Sequence, residues 1–352
     1  MSKMFRLATF NCENLFSRPR IFGLPLNKSL ILLDYVKQLQ EELSKDVFDQ
    51  TKITALKKKL SGYATIEDIR GKHTTSPGAT DWLGWVELTR RKADDIAIDN
   101  LAMLIGDVNA DVITPIEVES RILLQKFHDD LLYEKHLKPN NKAEYRYILL
   151  IDGNDERGID VSLMSRVPIL DIKTHIYETT MYEGKTVPLF SRDCLEVSLQ
   201  LHDDSRLNLL INHLKSQGYS PSNDPQSNRR RLAQAQRVAD LVSQYDLQSD
   251  YVAVMGDLNS DSTSPSLGPL LNMSGLYNVN LNLPPSERGT YRTGKDQLDY
   301  ILISDALKTK LKNVYIERHG MYSKVKYLHY PTIVGRRSEA SDHAVVVADF
   351  EI

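Results

Sequence analysis

The stretch "YVAVMGDLNSD", residues 251–261, changes character within a few positions and decides how the rest of the chain is interpreted. It begins with apolar and β-branched residues that favour a buried strand. Asp257 and Asn259 follow Gly256 two residues apart, so in an extended backbone their side chains share one face. Gly, Asp, Asn and Ser are also ordinary turn residues. The stretch therefore predicts a functional strand end only if other strands end in the same way.

Strand-like runs recur along the chain, rich in β-branched and aromatic residues and bounded by Asp, Asn, Gly and Ser. Helical patterns occupy 92–108 and 229–245, where apolar residues recur on one helix face. Several adjacent strand runs have no helix between them, which favours packed mixed sheets with outer helices over a doubly wound parallel sheet. The strand runs are FRLATF (5–10), DVITPI (111–116), EYRYILLI (144–151), IDVSLMS (159–165), CLEVSLQL (194–201), RLNLLIN (206–212), YVAVMG (251–256), DYILIS (299–304) and AVVVADF (344–350).

Residues 17–91 do not follow this pattern. They contain a lysine-rich helix pattern at 51–60 and then a loop at 71–87. We expect a mainly helical insertion after the first strand, within one domain that spans residues 1–352. A first amphipathic helix is predicted from the spacing of Leu32, Val36, Leu39 and Leu43.

Composition places the chain among soluble globular proteins. Of its 352 residues, 41% are hydrophobic and 26% are charged. No apolar run reaches the roughly 20 residues that a membrane helix needs, and the N-terminus has no uninterrupted apolar segment of a signal peptide. The two cysteines, Cys12 and Cys194, form neither a metal-ligand spacing nor a disulfide framework. We expect a cytoplasmic protein, no membrane association and two buried free thiols.

The charge pattern gives no overall sign of a polyanion partner, because the formal net charge is -3. Short basic clusters occur at 57–59, 90–92, 229–231 and 336–337. Each cluster alone is most often a solvated face. Several of them around one cleft would form a rim that binds phosphate.

Polar residues collect where the strand runs begin or end. A single such residue would be explained as a turn or a cap, but six strand termini rich in carboxylate, Asn and His point to one site. They supply oxygen ligands for Mg²⁺ or Mn²⁺ and histidines that exchange protons near neutral pH. Neither a zinc spacing, a G-x-S-x-G elbow nor a phosphate-binding G-x-x-x-x-G-K loop is present. The residues are Asn11, Glu13, Glu117, His213, Lys215, Asp257, Asn259, Asp299, Asp342 and His343.

Eight short motifs, which are given with their positions at the end of this paragraph, occur in an order that resembles the endonuclease/exonuclease/phosphatase superfamily. The resemblance covers residues 5–16 and about 92–352, and it implies a four-layer α/β sandwich of two mixed sheets with outer helices. It also implies a site at one sheet edge. The forms "EVE", "RGIDVSLMSR" and "NHLKS" look most like a bacterial nuclease-like branch. The motifs are TFNCENLF (9–16), DVITPIEVE (111–119), RGIDVSLMSR (157–166), FSRDCLEVSL (190–199), NHLKS (212–216), GDLNSDSTSPSL (256–267), QLDYILIS (297–304) and SDHAVVVADF (341–350).

The resemblance implies a metal-binding group. Glu117 matches the principal metal-binding glutamate and Asn11 the asparagine beside it. Glu13 matches a second acidic position near the metal, where other members often have Asp. Asp342 matches the acidic residue before the second histidine. The expected cofactor is Mg²⁺ or Mn²⁺, bound as one or two ions.

The resemblance also implies an acid–base group. His213 matches a histidine that contacts the scissile phosphate, and Asp257 with Asn259 matches the pair that positions the attacking water and stabilises the pentavalent phosphorus. Asp299 matches the carboxylate that orients the second histidine, His343. Which histidine is the acid and which the base is left open.

Three basic residues are predicted to contact the substrate. Arg192 matches a phosphate-contacting arginine of the deoxyribonuclease branch. Arg231 fits a family position but is better explained as part of a helix's first polar turns, and Lys215 is equally explained as a solvated strand-end charge.

The function predicted from these residues is a divalent-metal phosphodiesterase, a nuclease that hydrolyses DNA by in-line attack of water. One alternative is a phosphatase or phosphodiesterase for a small phosphorylated metabolite or a lipid headgroup, since fold does not fix substrate. The other is a catalytically silent binding module. The expected partner is nucleic acid, and no obligate protein partner is evident. The insertion is expected to cap one side of the cleft through Trp82 and Trp85, with a peripheral decoration as the alternative.

Overall fold

The computed structural model describes residues 3–15, 19–68, 84–89, 95–218, 221–324 and 326–352, and within them strands outnumber helices. The strands are β1 (Met4–Leu15), β2 (Ala64–Asp68), β3 (Gly84–Leu88), β4 (Val112–Val118), β5 (Tyr147–Leu150), β6 (Asp160–Ser165), β7 (Ile169–Lys173), β8 (Thr179–Tyr182), β9 (Lys185–Pro188), β10 (Cys194–Gln200), β11 (Arg206–His213), β12 (Tyr251–Asp257), β13 (Leu276–Asn278), β14 (Asp299–Ser304), β15 (Leu311–Glu317) and β16 (Val345–Glu351). The helices are α1 (Leu26–Leu43), α2 (Gln50–Lys59), α3 (Asp95–Val108), α4 (Arg121–Lys126) with its π-helical continuation Phe127–Leu137, α5 (Asn228–Val242), α6 (Gly268–Leu271) and α7 (Asp305–Lys308).

The chain folds into two compact units. The larger comprises Met1–Leu15 and Asp94–Ile352, and the smaller comprises Phe16–Ala93.

The larger unit contains two six-stranded mixed sheets. The first sheet has the strand order β15-β16-β1-β4-β6-β5, and the second sheet has the order β13-β14-β12-β11-β10-β7. Each sheet has one parallel pair near its centre, β1 with β4 and β11 with β12, while the other neighbours are antiparallel. The carboxyl ends of both strands in a parallel pair lie at the same edge of the sheet, which places polar residues that follow them side by side.

Alternation along the strands builds a layered core. In β1, Phe5 and Leu7 belong to the cluster between the two sheets, whereas Ala8 and Phe10 pack with helices on the opposite face. α3 and α4 cover that outer face of the first sheet, and α5 covers the outer face of the second. The order of layers is therefore helix, sheet, sheet, helix, which confirms the sandwich predicted from the sequence.

The smaller unit has its own core. α1 and α2 pack together through buried residues such as Leu39, Leu43, Ile53 and Leu56. The side chain of Asp49 caps α2 by accepting hydrogen bonds from the backbone N–H groups of two residues in its first turn.

The prediction of a loop over 71–87 was wrong at its carboxyl end. β3 pairs with β2 in an antiparallel hairpin, and its residues alternate between half-buried and exposed. Ile66 of β2 and Val86 of β3 pack on the same core as the two helices, so burial of one apolar face favours a strand there. Trp85 is 52% exposed, and Trp82 lies outside the described residues. The role of the insertion as a cap stays a prediction.

Both cysteines, Cys12 and Cys194, are buried free thiols, as expected. Burial raises the pKa of each thiol, which keeps it protonated and unreactive. Among the residues described, no helix has the length and apolar character that crossing a membrane requires.

Candidate active site

Six strand termini meet at one edge of the sandwich. In the first sheet, Asn11 of β1 lies opposite Ile116 of β4, so Glu117 follows directly beside it. In the second sheet, His213 pairs with Asp257, which in turn pairs with Asp299 across the next strand. These pairings follow from the register of the apolar strand runs, since a one-residue slip would turn every buried side chain to the opposite face.

The backbone is left-handed at three of the predicted site residues. The φ angles are 46° at Glu13, 67° at Glu117 and 53° at Asn259. Residues other than glycine rarely adopt positive φ, and such strain concentrates at functional sites. Glu13 and Glu117 stand where the strand pairing in the first sheet shifts register, and Asn259 stands just after the end of β12.

Gly256 is required for the close approach of β11 and β12 at this edge. Its φ is 127°, and a Cβ atom would lie 2.0 Å from the carbonyl oxygen of Asn212. We expect Gly256→Ala to lower the free energy of unfolding by about 3 kcal/mol through backbone strain and overpacking. Urea denaturation measures this.

Gly23→Ala is the matched control for Gly256→Ala. A Cβ atom at Gly23, which is exposed, would meet no atom within 4 Å. Its stability should be unchanged or up to about 1 kcal/mol higher. Equal stability of Gly256→Ala and the unchanged protein would contradict the steric argument.

Asp257 is the centre of the hydrogen-bond arrangement. Its Oδ2 accepts a hydrogen bond from Nδ2 of Asn11 at 3.0 Å, and its Oδ1 accepts one from the backbone N–H of Asn259 at 2.8 Å. Nε2 of His213 lies 3.6 Å from Oδ2. Burial and the charge of Asp299 raise the pKa of Asp257 to about 7. A carboxyl in this state can accept or share a proton near neutral pH.

His343 is oriented by a chain of buried polar groups. Its Nδ1 lies 2.8 Å from Oδ2 of Asp299, which also accepts a hydrogen bond from Oγ1 of Thr290 at 2.6 Å. The ring of Tyr291 covers the imidazole at 4.8 Å between centroids. Burial lowers the pKa of His343, but the charge and hydrogen bond of Asp299, with the charge of Asp257, outweigh this and raise it to about 10. The imidazole is thereby fixed with Nε2 available to the site.

His213 has the opposite electrostatic environment. It is buried, and burial together with the charges of Arg192 and His343 holds its pKa well below the usual value. Among the described residues, Nδ1 of His213 has no hydrogen-bond partner. Its Nε2 lies 3.9 Å from Oε1 of Glu117, so this neutral imidazole adjoins the acidic part of the site.

Three carboxylates form that acidic part: Glu13, Glu117 and Asp342. The backbone N–H of Asp342 donates to Oε2 of Glu13 at 3.1 Å, and the backbone N–H of Glu13 donates to Oδ1 of Asn11 at 3.0 Å. Burial and the charges of Asp342, Glu339 and Glu117 raise the pKa of Glu13 to about 7. Carboxylate oxygens are the ligands that a hard divalent cation prefers. In the described part of the chain, the three side chains whose ligand atoms all lie within 4.8 Å of one another are Asp257, Asp299 and His343, next to these carboxylates.

A pocket of about 530 Å³ joins these groups, and we call it the edge pocket. Asp299 lies behind His343 and does not line it. Tyr291 and Asp261 also line it and were not predicted. Asp261 stands two residues after Asn259, and that spacing could have revealed it, whereas only folding brings Tyr291 to the site. The predicted residues that line the edge pocket are Asn11, Glu13, Glu117, His213, Asp257, Asn259, Asp342 and His343.

The three residues predicted to contact substrate do not line the edge pocket. Arg192 is 2% exposed; its Nε lies 3.0 Å from Oδ2 of Asp155, and its Nη1 donates to the carbonyl oxygen of Leu214 at 3.2 Å. Arg231 is fully buried and donates to the carbonyl oxygen of Lys215 at 2.6 Å. Both guanidinium groups brace the segment after His213, and their contact with substrate stays a prediction.

Lys215 lies on the braced segment. Its Nζ donates to the carbonyl oxygen of Gly218 at 3.3 Å. Burial and the charges of Arg192 and Arg157 lower the pKa of Lys215 to about 8. Its contact with substrate also stays a prediction.

The same braced segment holds Asn259. Nδ2 of Asn259 donates to the carbonyl oxygen of Leu214 at 3.1 Å, the same oxygen that accepts from Arg192. An amide nitrogen carries two hydrogens, so the second one remains available to a ligand in the edge pocket.

Comparison with known structures places the fold. A Bacteroides thetaiotaomicron endonuclease/exonuclease/phosphatase family protein is 12% identical, with a TM-score of 0.55 over 100% of this chain and 98% of that one. A Beutenbergia cavernae endonuclease/exonuclease/phosphatase is 14% identical, with a TM-score of 0.52 over 99% and 72%. Humanized D. rerio TDP2 is 16% identical, with a TM-score of 0.50 over 99% of both chains.

No curated protein sequence is significantly similar to this chain. The sequence profile of the Endonuclease/Exonuclease/phosphatase family, however, matches residues 67–329, which is well over half of the chain. The sandwich of two mixed sheets and the meeting of strand ends at one edge agree with that match. The chain belongs to the endonuclease/exonuclease/phosphatase family, which is named for enzymes that hydrolyse phosphoric esters.

Proposed function

We propose that this protein is a divalent-metal-dependent phosphodiesterase that hydrolyses DNA by in-line attack of water on the phosphodiester. One observation carries the proposal. The edge pocket brings the acidic part of the site, with Glu117 at its wall, within 3.9 Å of a buried acid–base set that begins at His213. This is the arrangement that hydrolysis of a phosphodiester requires, because an oriented nucleophile and stabilisation of charge on phosphorus must act at one place.

The metal ligands are proposed to be Glu117, Glu13, Asp342 and the amide oxygen of Asn11. A bound Mg²⁺ or Mn²⁺ would supply Lewis-acid stabilisation of negative charge on the phosphoryl oxygens. None of the described residues that line the edge pocket is Lys or Arg. The wall therefore offers no fixed positive side chain for an anionic substrate other than histidine, which supports a cation as part of the active enzyme.

The acid–base roles follow from the contacts. Asp257 accepts or directs the proton of the attacking water, held in position by Asn11 and by the backbone of Asn259. The free hydrogen of the Asn259 amide donates to a phosphate oxygen. His343, oriented by Asp299, presents Nε2 to the edge pocket and stabilises or protonates an oxygen there.

A second candidate is hydrolysis of a small phosphorylated metabolite or a lipid headgroup ester. The acidic wall of the edge pocket and the net charge of -3 favour it, since a DNA backbone is normally held by several cations. The two candidates share the metal and the acid–base groups and differ only in what extends beyond the scissile phosphate.

A cleavage panel separates these functions. The purified protein is incubated with Mg²⁺ or Mn²⁺ and with duplex DNA, single-stranded DNA, RNA and phosphomonoesters. We expect metal-dependent cleavage of DNA that excess EDTA abolishes. Full activity in excess EDTA would overturn the metal dependence, while turnover of phosphomonoesters alone would establish the second candidate.

A further inference from the structure

A second concavity adjoins the edge pocket, and we call it the flanking pocket. It has a volume of about 320 Å³, within the range of about 300–1,000 Å³ typical of ligand sites. Glu13 and Asp342 lie in the walls of both pockets. A ligand that reaches from one pocket to the other would therefore pass these two carboxylates. The other walls of the flanking pocket include Arg292, Tyr322, Lys326, Tyr327 and Arg336.

Much of the flanking pocket is built by the connection between β15 and β16, residues 318–344. This connection contains no helix or strand in its described part, and it is longer than the roughly 12–15 residues usual for a purely structural loop. It is nevertheless held in place. Arg318 donates to the carbonyl oxygens of Glu287 and Gly289 at 2.6 and 2.7 Å, and the backbone N–H of Tyr322 donates to Oε2 of Glu339 at 2.8 Å. A long loop that is fixed by hydrogen bonds indicates a binding role.

The cations of the flanking pocket differ in how they are engaged. Nε of Arg292 lies 3.2 Å from Oδ2 of Asp342, and Nζ of Lys326 donates to the carbonyl oxygen of Thr293 at 2.6 Å. Arg336 is exposed and makes no hydrogen bond or ion pair with any residue that the structure describes. Its planar guanidinium, with five N–H donors, matches the geometry of a phosphate group.

The flanking pocket has two tyrosines in its wall, Tyr322 and Tyr327, and the Tyr327 side chain is held by its own contacts. The hydroxyl of Tyr327 donates to the carbonyl oxygen of Thr293 at 3.1 Å, and two cations, Arg318 and the exposed Lys326, lie 5.0 and 5.1 Å from the centre of its ring. Gly294 has φ +65°, and a Cβ atom there would lie 1.9 Å from the Tyr327 hydroxyl, so only glycine admits this ring. Tyr322 lines the same pocket and is half-buried.

We propose that the flanking pocket binds the nucleotide next to the scissile phosphate, with its phosphate on Arg336 and its base stacked on Tyr327. The proposal rests on the phosphodiesterase function proposed above and adds the substrate class. A positive group beside a flat aromatic side chain is how proteins hold single-stranded nucleic acid. A base inside a duplex has no free face for such stacking, so the preferred substrate is an unpaired strand.

The test compares Arg336→Ala with Arg337→Ala. The two arginines are adjacent and exposed, but Arg337 does not line the flanking pocket. The substrates are a single-stranded thymidine oligonucleotide and bis(p-nitrophenyl) phosphate, which carries no nucleotide. We expect Arg336→Ala to lower the ratio of the two kcat/KM values about tenfold, the usual effect of one charged hydrogen bond, and Arg337→Ala to leave it unchanged.

The stacking contact has its own pair of variants. Tyr327→Leu removes the ring and should lower the oligonucleotide kcat/KM about tenfold, whereas Tyr327→Phe keeps the ring and should lower it far less. Equal effects of the two substitutions, or equal loss on both substrates, would overturn the stacking role.

Binding measurements keep this test separate from catalysis. Fluorescence anisotropy of the labelled oligonucleotide is titrated at several salt concentrations with Mg²⁺ present, with every variant made in the His343→Gln background so that the probe is not hydrolysed. Arg336→Ala should flatten the slope of log K against log salt by about 0.7, the value for one phosphate contact on a single strand. An unchanged slope overturns the flanking-pocket proposal. Absence of hydrolysis by the unchanged protein, with an altered slope, instead refutes the phosphodiesterase and leaves the nucleotide site supported.

Discussion

The Glu117→Gln variant is expected to lose hydrolytic activity by about 10³-fold or more, because a catalytic cation contributes several kcal/mol of transition-state stabilisation and each 1.4 kcal/mol is tenfold. The neutral amide is nearly isosteric but is a poor ligand for a hard cation. Glu117 lines the edge pocket from a left-handed backbone position, with φ 67°. Steady-state turnover in Mg²⁺ and Mn²⁺ measures the loss.

Direct metal binding provides the second readout for Glu117. Titration with Mn²⁺, followed by electron paramagnetic resonance, should show affinity at least about tenfold weaker than that of the unchanged protein, comparable with other perturbed metal sites. Glu119→Gln is the control, since this residue stands two positions further along the chain and does not line the edge pocket. Equal Mn²⁺ affinity and turnover in Glu117→Gln and Glu119→Gln would refute the proposed ligand.

The His343→Gln variant is expected to lower kcat by about 10²–10⁴-fold, the usual effect of removing a group that takes part in proton transfer. Glutamine cannot exchange a proton. The substitution also leaves Asp299, fully buried, without its imidazole partner. Turnover should be measured on the folded fraction, with circular dichroism to establish that fraction.

His175→Gln is the matched control for His343→Gln. His175 is likewise buried, and its two ring nitrogens lie 2.7 Å from Glu178 and 2.5 Å from Glu196. It lines neither the edge pocket nor the flanking pocket. We expect it to lose stability but to keep kcat. If His343→Gln keeps kcat as His175→Gln does, the assignment of His343 to the chemistry fails.

Strand ends were predictable because they depend on local composition. The apolar run that leads into Asp257 and the one that leads into His213 each specify a buried strand, and the polar residues after them must lie at its end. The pairing of His213 with Asp257 then follows from the sheet register. The sequence pattern did not predict the backbone conformation of the site, because no residue next to Glu13 or Glu117 indicates a positive φ.

Long-range polar contacts were not predictable for a related reason. The sequence does not indicate which groups a basic residue contacts, so it could not show that Arg192 and Arg231 each donate a hydrogen bond to a carbonyl oxygen of the segment after His213. Arg336 was recognised only as part of the basic cluster at 336–337, and nothing in the sequence singled out Tyr327. Only the path of the long connection before β16 brings them beside Asp342.

The two sheets each supply part of the site, so the rate of hydrolysis depends on the distance between the sheets. Asn11 and Glu117 come from the first sheet, while His213 and Asp257 come from the second. The interleaved apolar layer between the sheets, together with the hydrogen bond from Asn11 to Asp257, sets the distance across which these groups face each other. A misplacement of 1 Å can cost about 10²-fold in rate. The turnover number should therefore depend on the distance between the two sheets. Removing one methyl group from that layer, far from any reacting atom, should lower the turnover number while the protein stays folded.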